Sequence, residues 1–498
     1  MCEASRGMSD SMTRSAVVGS EPEERCAQAR AAQPAWAALP IAARAKVMEA
    51  TARLFADEGP ALASLLSEAS GQSPAALWSA EVLPTLDALR WLVREGARHL
   101  APKPLRGSWL QWYVRSTRHT LAWDPFGVVG VITPGNAPLF LSVPQVAAAL
   151  LAGNGVLWKP SPSGEAIAAL AASAFRRAGL PADLLQTIEG GAEAARAVVQ
   201  TGVDKLFFTG GSAAGLALYR LQAERGRPAV LELSGRHVAV VFADADLSMA
   251  ARGIVWGKLA NRGRNCISVQ LALVERPAYA DFLSRVGAAM AGASASPGVR
   301  PTDPREIGRL RRLTEEAVER GGRLLFGNGT GPTLLADVAP GMCAVDEEIQ
   351  GPILTAAPLD SEAEAVDWIN RSDYRLSASL WTTDLGRARR VAARLDVGQV
   401  WINDALHPVA QPAIPLVGRG KSGFGASRGL AGLLEMAQPK VVSETPLGAA
   451  RRHYAPIPAE GAEMFRHTAA LAFASGMRAR LTALGRLLRT LAGLTRTR

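Results

Sequence analysis

The sequence predicts an α/β protein with two parallel β-sheets, each covered by helices. Three observations predict this fold: short β-forming runs recur along the chain, Ala-rich stretches with helical spacing separate most of them, and the runs are apolar at nearly every position. Strands that are buried on both faces have such continuous apolar runs, and strand–helix alternation is typical of parallel sheets. The 498 residues, 48% of them hydrophobic and 20% charged, suffice for two or more packed domains.

Eleven apolar runs predict the strands, in two series. The first series lies at 127–133, 155–159, 184–188, 205–209, 229–233 and 238–242. The second series lies at 268–274, 331–338, 353–359, 377–382 and 398–403. Before them, the chain from Glu21 to about Ala101 has helical spacing interrupted by Pro and Gly, which predicts a run of helices. Residues 109–123 (WLQWYVRSTRHTLAW) mix β-forming and polar residues and predict a β-hairpin.

Composition excludes several classes of protein. The four cysteines are scattered without a CxxC pair, so we expect no disulfide framework and a reducing, cytoplasmic compartment. The six histidines form no HExxH pattern, so we expect no metal site. The N-terminus lacks the apolar segment of a secretory signal, and no run reaches the ~18 apolar residues that a membrane span needs. The net charge of +10 comes mainly from residues 449–498, which hold nine arginines and two glutamates, so the main body gives no indication of nucleic-acid binding.

One cysteine stands in a setting that suits a reactive thiolate. Cys266 lies in NRGRNCISVQ (261–270), between a helical stretch and an apolar run, with Arg262 and Arg264 nearby. Neighbouring cations favour the thiolate form, which is the nucleophile. An isolated cysteine is more often an inert buried residue, so the alternative reading is a helix end with a glycine turn.

Four further segments suggest a site at the ends of strands. Glu232 closes the run AVLEL, and Lys159 closes VLWK just before a proline. The segment FFTGGSAAG (207–215) has the strand, glycine turn and helix order that can hold a phosphate. Asn136 lies in TPGNAP, where flanking prolines stiffen the loop. Each has an ordinary alternative: a salt-bridged strand end, a solvated lysine, a tight turn without ligand, and a turn asparagine.

Read together, these segments resemble the aldehyde dehydrogenase superfamily, in order and spacing, over roughly residues 21–445. The interval of 34 residues between Glu232 and Cys266 is the family's usual one. The motifs that carry the resemblance are GVVGVITPGNAPL, VLWKPS, FFTGGS, ELSGRHVAVVFADADL, NRGRNC, DEEIQGPIL, NRSDYRLSASLWTTDLGRA, GQVWIND and PLVGRGKSGFGASRGLAGLLEMAQPK.

The resemblance implies an NAD(P)-dependent oxidation of an aldehyde to an acid. Cys266 would be the nucleophile, the Asn136 amide and the Cys266 backbone N–H would hold the oxyanion, and Glu232 would activate water against the thioester. The implied contacts to NAD or NADP are Lys159, Thr133, Pro134, Gly210, Gly211, Ser212, Leu233 and Glu348.

Several positions depart from the family pattern. Gly135 replaces the usual aromatic residue before the asparagine, which would widen the substrate tunnel. Pro162 replaces an acidic residue that would repel a 2′-phosphate, so NADP remains open beside NAD. The remaining departures are Gly211 for a serine, Arg264 for a glutamine and Gln350 for an aromatic residue.

The resemblance also divides the chain. It implies a Rossmann-like cofactor domain at 21–233, a catalytic domain at 234–410, and a return to the cofactor domain with an oligomerisation strand at 411–445. The hairpin at 109–123 would complete a small β element that forms a homodimer or homotetramer. Residues 446–498 would be a linker and a tail.

The tail predicts a basic amphipathic helix. Within 465–498 there is no acidic residue, and one helical face carries Met477, Leu481, Leu484, Leu488 and Leu491. Such a helix suits an anionic membrane surface, where a lipophilic aldehyde would dissolve. Docking on the protein itself or on another subunit is the alternative.

Two other functions stay open at this point. Coenzyme A instead of water could accept the acyl group, although the presence of Glu232 disfavours this. A catalytically silent scaffold protein is the second alternative, and the unusual Gly211, Arg264 and Gln350 are its best support.

Overall fold

The computed structural model describes residues 21–114, 116–294, 303–448, 454 and 461–496. Contacts divide the chain into two compact units, one reaching Leu100 and continuing over 125–438, the other comprising 101–124 and the chain from Pro439 onward. None of the described helices is long and apolar enough to cross a membrane.

The strands in chain order are β1 (Lys103–Leu105), β2 (Arg118–Pro125), β3 (Val128–Ile132), β4 (Gly155–Lys159), β5 (Leu185–Thr187), β6 (Lys205–Thr209), β7 (Ala229–Glu232), β8 (His237–Val241), β9 (Val269–Glu275), β10 (Arg323–Phe326), β11 (Thr333–Ala336), β12 (Ile353–Leu359), β13 (Ser377–Trp381), β14 (Gln399–Ile402), β15 (Gly423–Phe424) and β16 (Ala437–Glu444). Each of the eleven predicted runs overlaps one of them.

The α-helices are α1 (Glu21–Ala37), α2 (Ile41–Asp57), α3 (Gly59–Ser70), α4 (Pro74–Leu77), α5 (Leu83–Trp91), α6 (Ala97–Leu100), α7 (Val143–Leu151), α8 (Glu165–Arg177), α9 (Ala192–Gln200), α10 (Ser212–Ala223), α11 (Leu247–Leu259), α12 (Arg276–Ala293), α13 (Pro304–Glu319), α14 (Cys343–Asp346), α15 (Glu362–Asn370), α16 (Leu385–Ala392), α17 (Gly429–Leu434), α18 (Gly461–Phe473) and α19 (Met477–Arg496). Two π-helical turns, Trp78–Val82 and Leu92–Gly96, join α4, α5 and α6.

The first large sheet has the strand order β15-β7-β6-β3-β4-β5. Its pairs are parallel except for the edge pair of β15 with β7. Every residue of β3 and β4 is buried, as expected for strands covered on both faces. Because the strands are parallel, their carboxyl ends meet at one edge of the sheet, and Glu232 lies there at the end of β7.

The second large sheet has the order β10-β11-β12-β9-β8-β13-β14 and is parallel apart from the edge pair of β10 with β11. The run 238–242 was counted with the first series, but β8 belongs to this sheet. The four residues after Glu232 carry the chain from one sheet to the other, so β7 and β8 are neighbours in sequence only. The strand β10 was missed because three of its four residues are exposed and it lies at a sheet edge.

The second unit contains a small sheet with the order β1-β2-β16 and the helices α18 and α19, which pack against each other. The hairpin predicted over 109–123 is wrong in its first half. Trp109–Val114 forms a 3₁₀ helix, and β2 pairs instead with Lys103–Leu105. The apolar residues at 109, 110, 112 and 113 follow a helical rather than an alternating spacing, which is the physical reason.

Candidate active site

The loop that carries Cys266 has an unusual backbone. Helix α11 begins at an Asp246 cap, whose side chain accepts from the backbone N–H of Met249 at 2.9 Å, and it ends at Leu259. The next turn places Asn261 and Arg262 at φ 52° and 57°. Left-handed backbone is unfavourable for residues with a Cβ, so contacts around the loop must hold it.

Asn261 supplies those contacts. Its Nδ2 donates to the carbonyl oxygen of Asn136 at 2.6 Å and to Oδ1 of Asn265 at 3.1 Å. Its Oδ1 accepts from Nε2 of Gln72 at 3.0 Å. The Cys266 loop is therefore tied to the loop that carries Asn136.

Asn136 follows β3 and lines the same cavities as Cys266. Its Nδ2 donates to the carbonyl oxygen of Arg264 at 3.0 Å, which uses one of the two N–H bonds of the amide. Its buried Oδ1 has no hydrogen-bond partner in the described part of the chain. The second N–H remains available to a ligand beside the cysteine.

Glu232 is buried, with both carboxylate oxygens occupied. One oxygen accepts from the hydroxyl of Ser427, and the other accepts from Oγ1 of Thr209 at 3.2 Å. Burial raises the pKa of Glu232, while the Ser427 hydrogen bond and the positive charge of Arg428 act in the opposite direction. A carboxyl group with a raised pKa is suited to accept and return protons.

Cys266 is surrounded by protein atoms that desolvate its sulfur. Burial, together with the charges of Glu232 and Glu348, raises the pKa of this thiol to about 12. Arg428 acts in the opposite direction. The causes of this shift include Arg428 rather than Arg262 and Arg264, the arginines that the sequence suggested.

Gly235 allows the segment after Glu232 to pass close to the backbone of Cys266. A Cβ at this position would lie 2.4 Å from the carbonyl oxygen of Cys266 and 2.3 Å from Cδ2 of Leu376. Only glycine permits this approach. The ELSG segment therefore brings Glu232 and Cys266 to one site.

Two cavities meet at Cys266. The smaller has a volume of about 430 Å³ and is lined by Asn136, Glu232 and Cys266, among others. The larger has a volume of about 760 Å³ and also reaches Asn136 and Cys266. The three predicted catalytic residues are thus brought together at one junction.

The predicted cofactor residues fall into two groups. Those that line the smaller cavity are Pro134, Gly210, Gly211, Leu233 and Glu348. The other three, Thr133, Lys159 and Ser212, are not part of its lining. Thr133 Oγ1 accepts from Trp158 Nε1 at 3.0 Å, and Ser212 Oγ donates to the carbonyl oxygen of Lys421 at 3.0 Å. Lys159 is buried rather than solvated, and burial lowers its pKa.

Gly135 does not widen the larger cavity, contrary to the sequence prediction. It lines the smaller one, where a Cβ would lie 2.4 Å from Ser163 Oγ and 2.7 Å from Ser161 Oγ. The missing side chain therefore leaves space in the smaller cavity. Among the described residues, no cluster of three or more His, Cys, Asp and Glu could hold a metal ion.

Sequence reasoning missed three polar residues of the site. Glu81 lines both cavities and accepts the backbone N–H groups of Leu139 and Phe140 at 2.8 and 3.3 Å. Burial raises the pKa of Glu81 to about 7. The other two, Ser427 and Arg428, come from the glycine-rich segment before α17. The signal for them is weak, because the same segment also contains Arg419, Lys421 and Ser422.

Known proteins match both the sequence and this arrangement. The sequence profile described as "Aldehyde dehydrogenase family" matches residues 13–442. A 4,4'-diapolycopene aldehyde oxidase of Methylomonas sp. is 32% identical over 428 residues, covering 84% of this chain and 80% of that protein. A benzaldehyde dehydrogenase [NAD(+)] of Pseudomonas putida is 32% identical over 433 residues, covering 83% and 87%.

A solved structure extends the likeness to the fold. The NADP-dependent glyceraldehyde-3-phosphate dehydrogenase of Bacillus halodurans C-125, complexed with NADP, superimposes with a TM-score of 0.81 at 28% identity, covering 85% of this chain and 91% of that one. The chain belongs to the aldehyde dehydrogenase family. It is an oxidoreductase of the aldehyde dehydrogenase fold, which confirms the class predicted from the sequence.

Proposed function

We propose that the chain oxidises a bulky, largely apolar aldehyde to the carboxylic acid with NAD⁺ or NADP⁺. The observation that carries this proposal is the position of Cys266 at the junction of two cavities. The smaller cavity contains Glu232, Asn136 and the glycine turn before α10. The larger has a mainly apolar lining, which includes Leu77, Phe140, Leu141, Trp256, Ile267 and Val409.

The residues of the smaller cavity fit a dinucleotide. Gly210 and Gly211 precede the twelve-residue helix α10, and the space around a Cβ at Gly211 is empty to 4 Å. The backbone at such a helix start can hold a pyrophosphate, and Glu348 would bind a ribose. When bound, the nicotinamide ring supplies the acceptor for the hydride that leaves the substrate. Pro162 stands where the family pattern often has an acidic residue that repels a 2′-phosphate, which supports use of NADP⁺ beside NAD⁺.

The residues around Cys266 provide the remaining chemistry. Its sulfur adds to the carbonyl carbon, and the free N–H of the Asn136 amide and the Cys266 backbone N–H stabilise the oxyanion. Losing one such donor typically costs ~10²–10³-fold in rate. After oxidation, the acyl group is a thioester of Cys266. Glu232 takes a proton from water as the water attacks the thioester, and the thiolate of Cys266 leaves.

A panel of straight-chain aldehydes of graded length, assayed with each cofactor, tests the substrate class. We expect kcat/KM to rise about fourfold per added CH₂ group until the larger cavity is filled, because burying one CH₂ contributes about 0.8 kcal/mol. Equal kcat/KM across the series would contradict an apolar substrate. No reduced cofactor with any aldehyde would support the silent scaffold instead, and formation of acyl-CoA on adding coenzyme A would support the acylating alternative.

We also propose that the tail contacts an anionic lipid surface. Along α19 the side chains of Met477, Leu481, Leu484 and Leu488 are 72%, 59%, 37% and 58% exposed, whereas Ala483 and Leu487 are buried. Four of the five side chains of the face predicted to be apolar are therefore exposed, and the fifth, Leu491, is half-buried. Four arginines of the same helix (Arg478, Arg480, Arg486 and Arg489) add positive charge, which suits acidic headgroups.

Liposome flotation of the full chain tests the tail proposal. We expect the protein to float with vesicles containing phosphatidylglycerol and to stay behind with pure phosphatidylcholine. The double variant Leu481→Ser/Leu488→Ser should lose flotation at least several-fold, since it removes two exposed apolar groups. Leu385→Ser, which changes a leucine on α16 that is 47% exposed, is the control. The proposal is rejected if the parent floats with neither kind of vesicle, or if the double variant floats as strongly as the parent.

The strand β16 supports the proposed homo-oligomer. It lies at the edge of the small sheet, and its valines Val441 and Val442 are 57% and 39% exposed. An exposed edge strand with apolar side chains readily pairs with another chain. A single-chain mass in light scattering would contradict a dimer or tetramer.

A further inference from the structure

Arg428 occupies a position that an arginine rarely takes. Its backbone has φ 60° and ψ 173°, a combination that is essentially restricted to glycine and costs of order 1–3 kcal/mol. The residue is only 6% exposed, so the guanidinium is removed from water. Burying a charge without a full set of partners is costly. Two unfavourable features at one residue point to a role of this side chain.

The guanidinium is only partly satisfied. One nitrogen, Nη1, donates to the carbonyl oxygen of Val409, and the guanidinium carbon lies 5.0 Å from the ring centroid of Phe140. The other two nitrogens, Nε and Nη2, are buried and have no hydrogen-bond partner among the described residues. A packing role alone would not leave two donors of a buried cation unused.

Arg428 is close to the catalytic pair. It lines the larger cavity together with Cys266. Its neighbour Ser427 donates to Glu232, because β15 pairs Gly423 with Glu232 and returns the segment to the end of β7. Burial lowers the pKa of Arg428, while the charges of Glu232 and Cys266 raise it, so the three groups interact.

The pair needs such a charge. In the proposed reaction Cys266 acts as a thiolate and Glu232 as a carboxylate, and two buried anions repel each other. The other charged or titratable side chains that line the two cavities are Glu81, Asp87, Arg90, Arg262, Arg264, Glu348 and His407. Among the positively charged side chains that line the two cavities, Arg428 is the one whose charge acts to lower the pKa of both Glu232 and Cys266.

We propose that Arg428 is the counter-charge of the active site: its buried guanidinium stabilises the thiolate of Cys266 and the carboxylate of Glu232. It is a positioning residue that acts through these two groups, and the inference rests on the roles proposed for them. Arg428 lines the larger cavity together with Cys266, and its donors Nε and Nη2 have no hydrogen-bond partner among the described residues. A direct ion pair with either group is not required, because charges interact over longer distances in a site of low dielectric constant.

Alkylation of Cys266 by neutral iodoacetamide tests the proposal without aldehyde or cofactor. Cys266 is followed by peptide mass spectrometry in the full chain, between pH 7 and pH 9, with Cys266→Ser as the blank. Below its pKa a thiol reacts in proportion to its thiolate fraction, so a rise of about one unit slows alkylation about tenfold. We expect Arg428→Gln to react at least about tenfold more slowly than the parent, and Arg428→Lys, which keeps a cation, to stay within about threefold.

The outcomes separate charge from shape. Arg428→Gln reacting at the parent rate while folded, or Arg428→Lys and Arg428→Gln reacting equally slowly, would overturn the proposal. If Arg428→Gln does not fold, as judged by thermal unfolding, the folded Arg428→Lys variant decides alone, because a tenfold loss with the charge retained contradicts it. An unchanged alkylation rate with a raised KM for aldehydes that bear a carboxylate would make Arg428 a substrate anchor instead. Absence of aldehyde oxidation in the parent would reject the proposed function and leave the alkylation result intact.

Discussion

Replacing Cys266 with alanine is expected to lower aldehyde-dependent formation of NADH or NADPH by about 10⁴-fold or more, because no other group can form the covalent adduct. The measurement is the absorbance of the reduced cofactor with the best aldehyde of the panel. Cofactor binding, followed by quenching of protein fluorescence, should change little, since Cys266 is only one of the many residues that line the smaller cavity.

Cys343→Ala is the matched control for that variant. Cys343 likewise has intermediate burial, but it lies at the start of α14 and lines neither cavity. The control should keep the parent activity. If Cys266→Ala retained a tenth of the parent rate, the nucleophile would have to be another group, and the proposed route through a thioester would be wrong.

The sequence was sufficient for most of the fold, for a physical reason. Buried parallel strands such as β3 and β4 must be apolar at every position, so they stand out in the sequence without any alignment. Edge strands carry no such signal. Arg323–Phe326 is largely exposed and Gly423–Phe424 is two residues long, and both were missed.

The grouping of Cys266, Glu232 and Asn136 was predicted from the family resemblance. Asn136 follows β3 and Glu232 ends β7, at the edge where the strands of the first sheet finish, whereas Cys266 precedes β9 of the second sheet. The contribution of Ser427 and Arg428 was not predictable, because it depends on how a glycine-rich segment without periodicity returns to β7. Gly135 shows the same limit: the sequence revealed the missing side chain, and only the neighbouring Ser161 and Ser163 revealed which cavity it enlarges.

Replacing Glu232 with glutamine should separate the two halves of the reaction. The amide keeps the shape and still contacts Ser427 and Thr209, but it cannot take a proton from water. We expect one rapid equivalent of reduced cofactor per active site, followed by steady turnover about 10²–10⁴-fold slower than in the parent. Intact-protein mass spectrometry should find the acyl group on Cys266 during the slow phase.

The burst distinguishes slow hydrolysis of the thioester from slow loss of hydride. If loss of hydride limits turnover, no rapid first equivalent of reduced cofactor forms. If the first rapid equivalent and the steady turnover are both lost, Glu232 acts before the thioester forms, for example in deprotonating Cys266. Turnover restored by coenzyme A would mean that a thiol can replace the activated water as acyl acceptor. The buried carboxyl group of Glu232 has lost its solvation and has gained only two hydroxyl partners. Proton transfer to and from water accounts best for such a group in this site. The Glu232→Gln variant isolates that step.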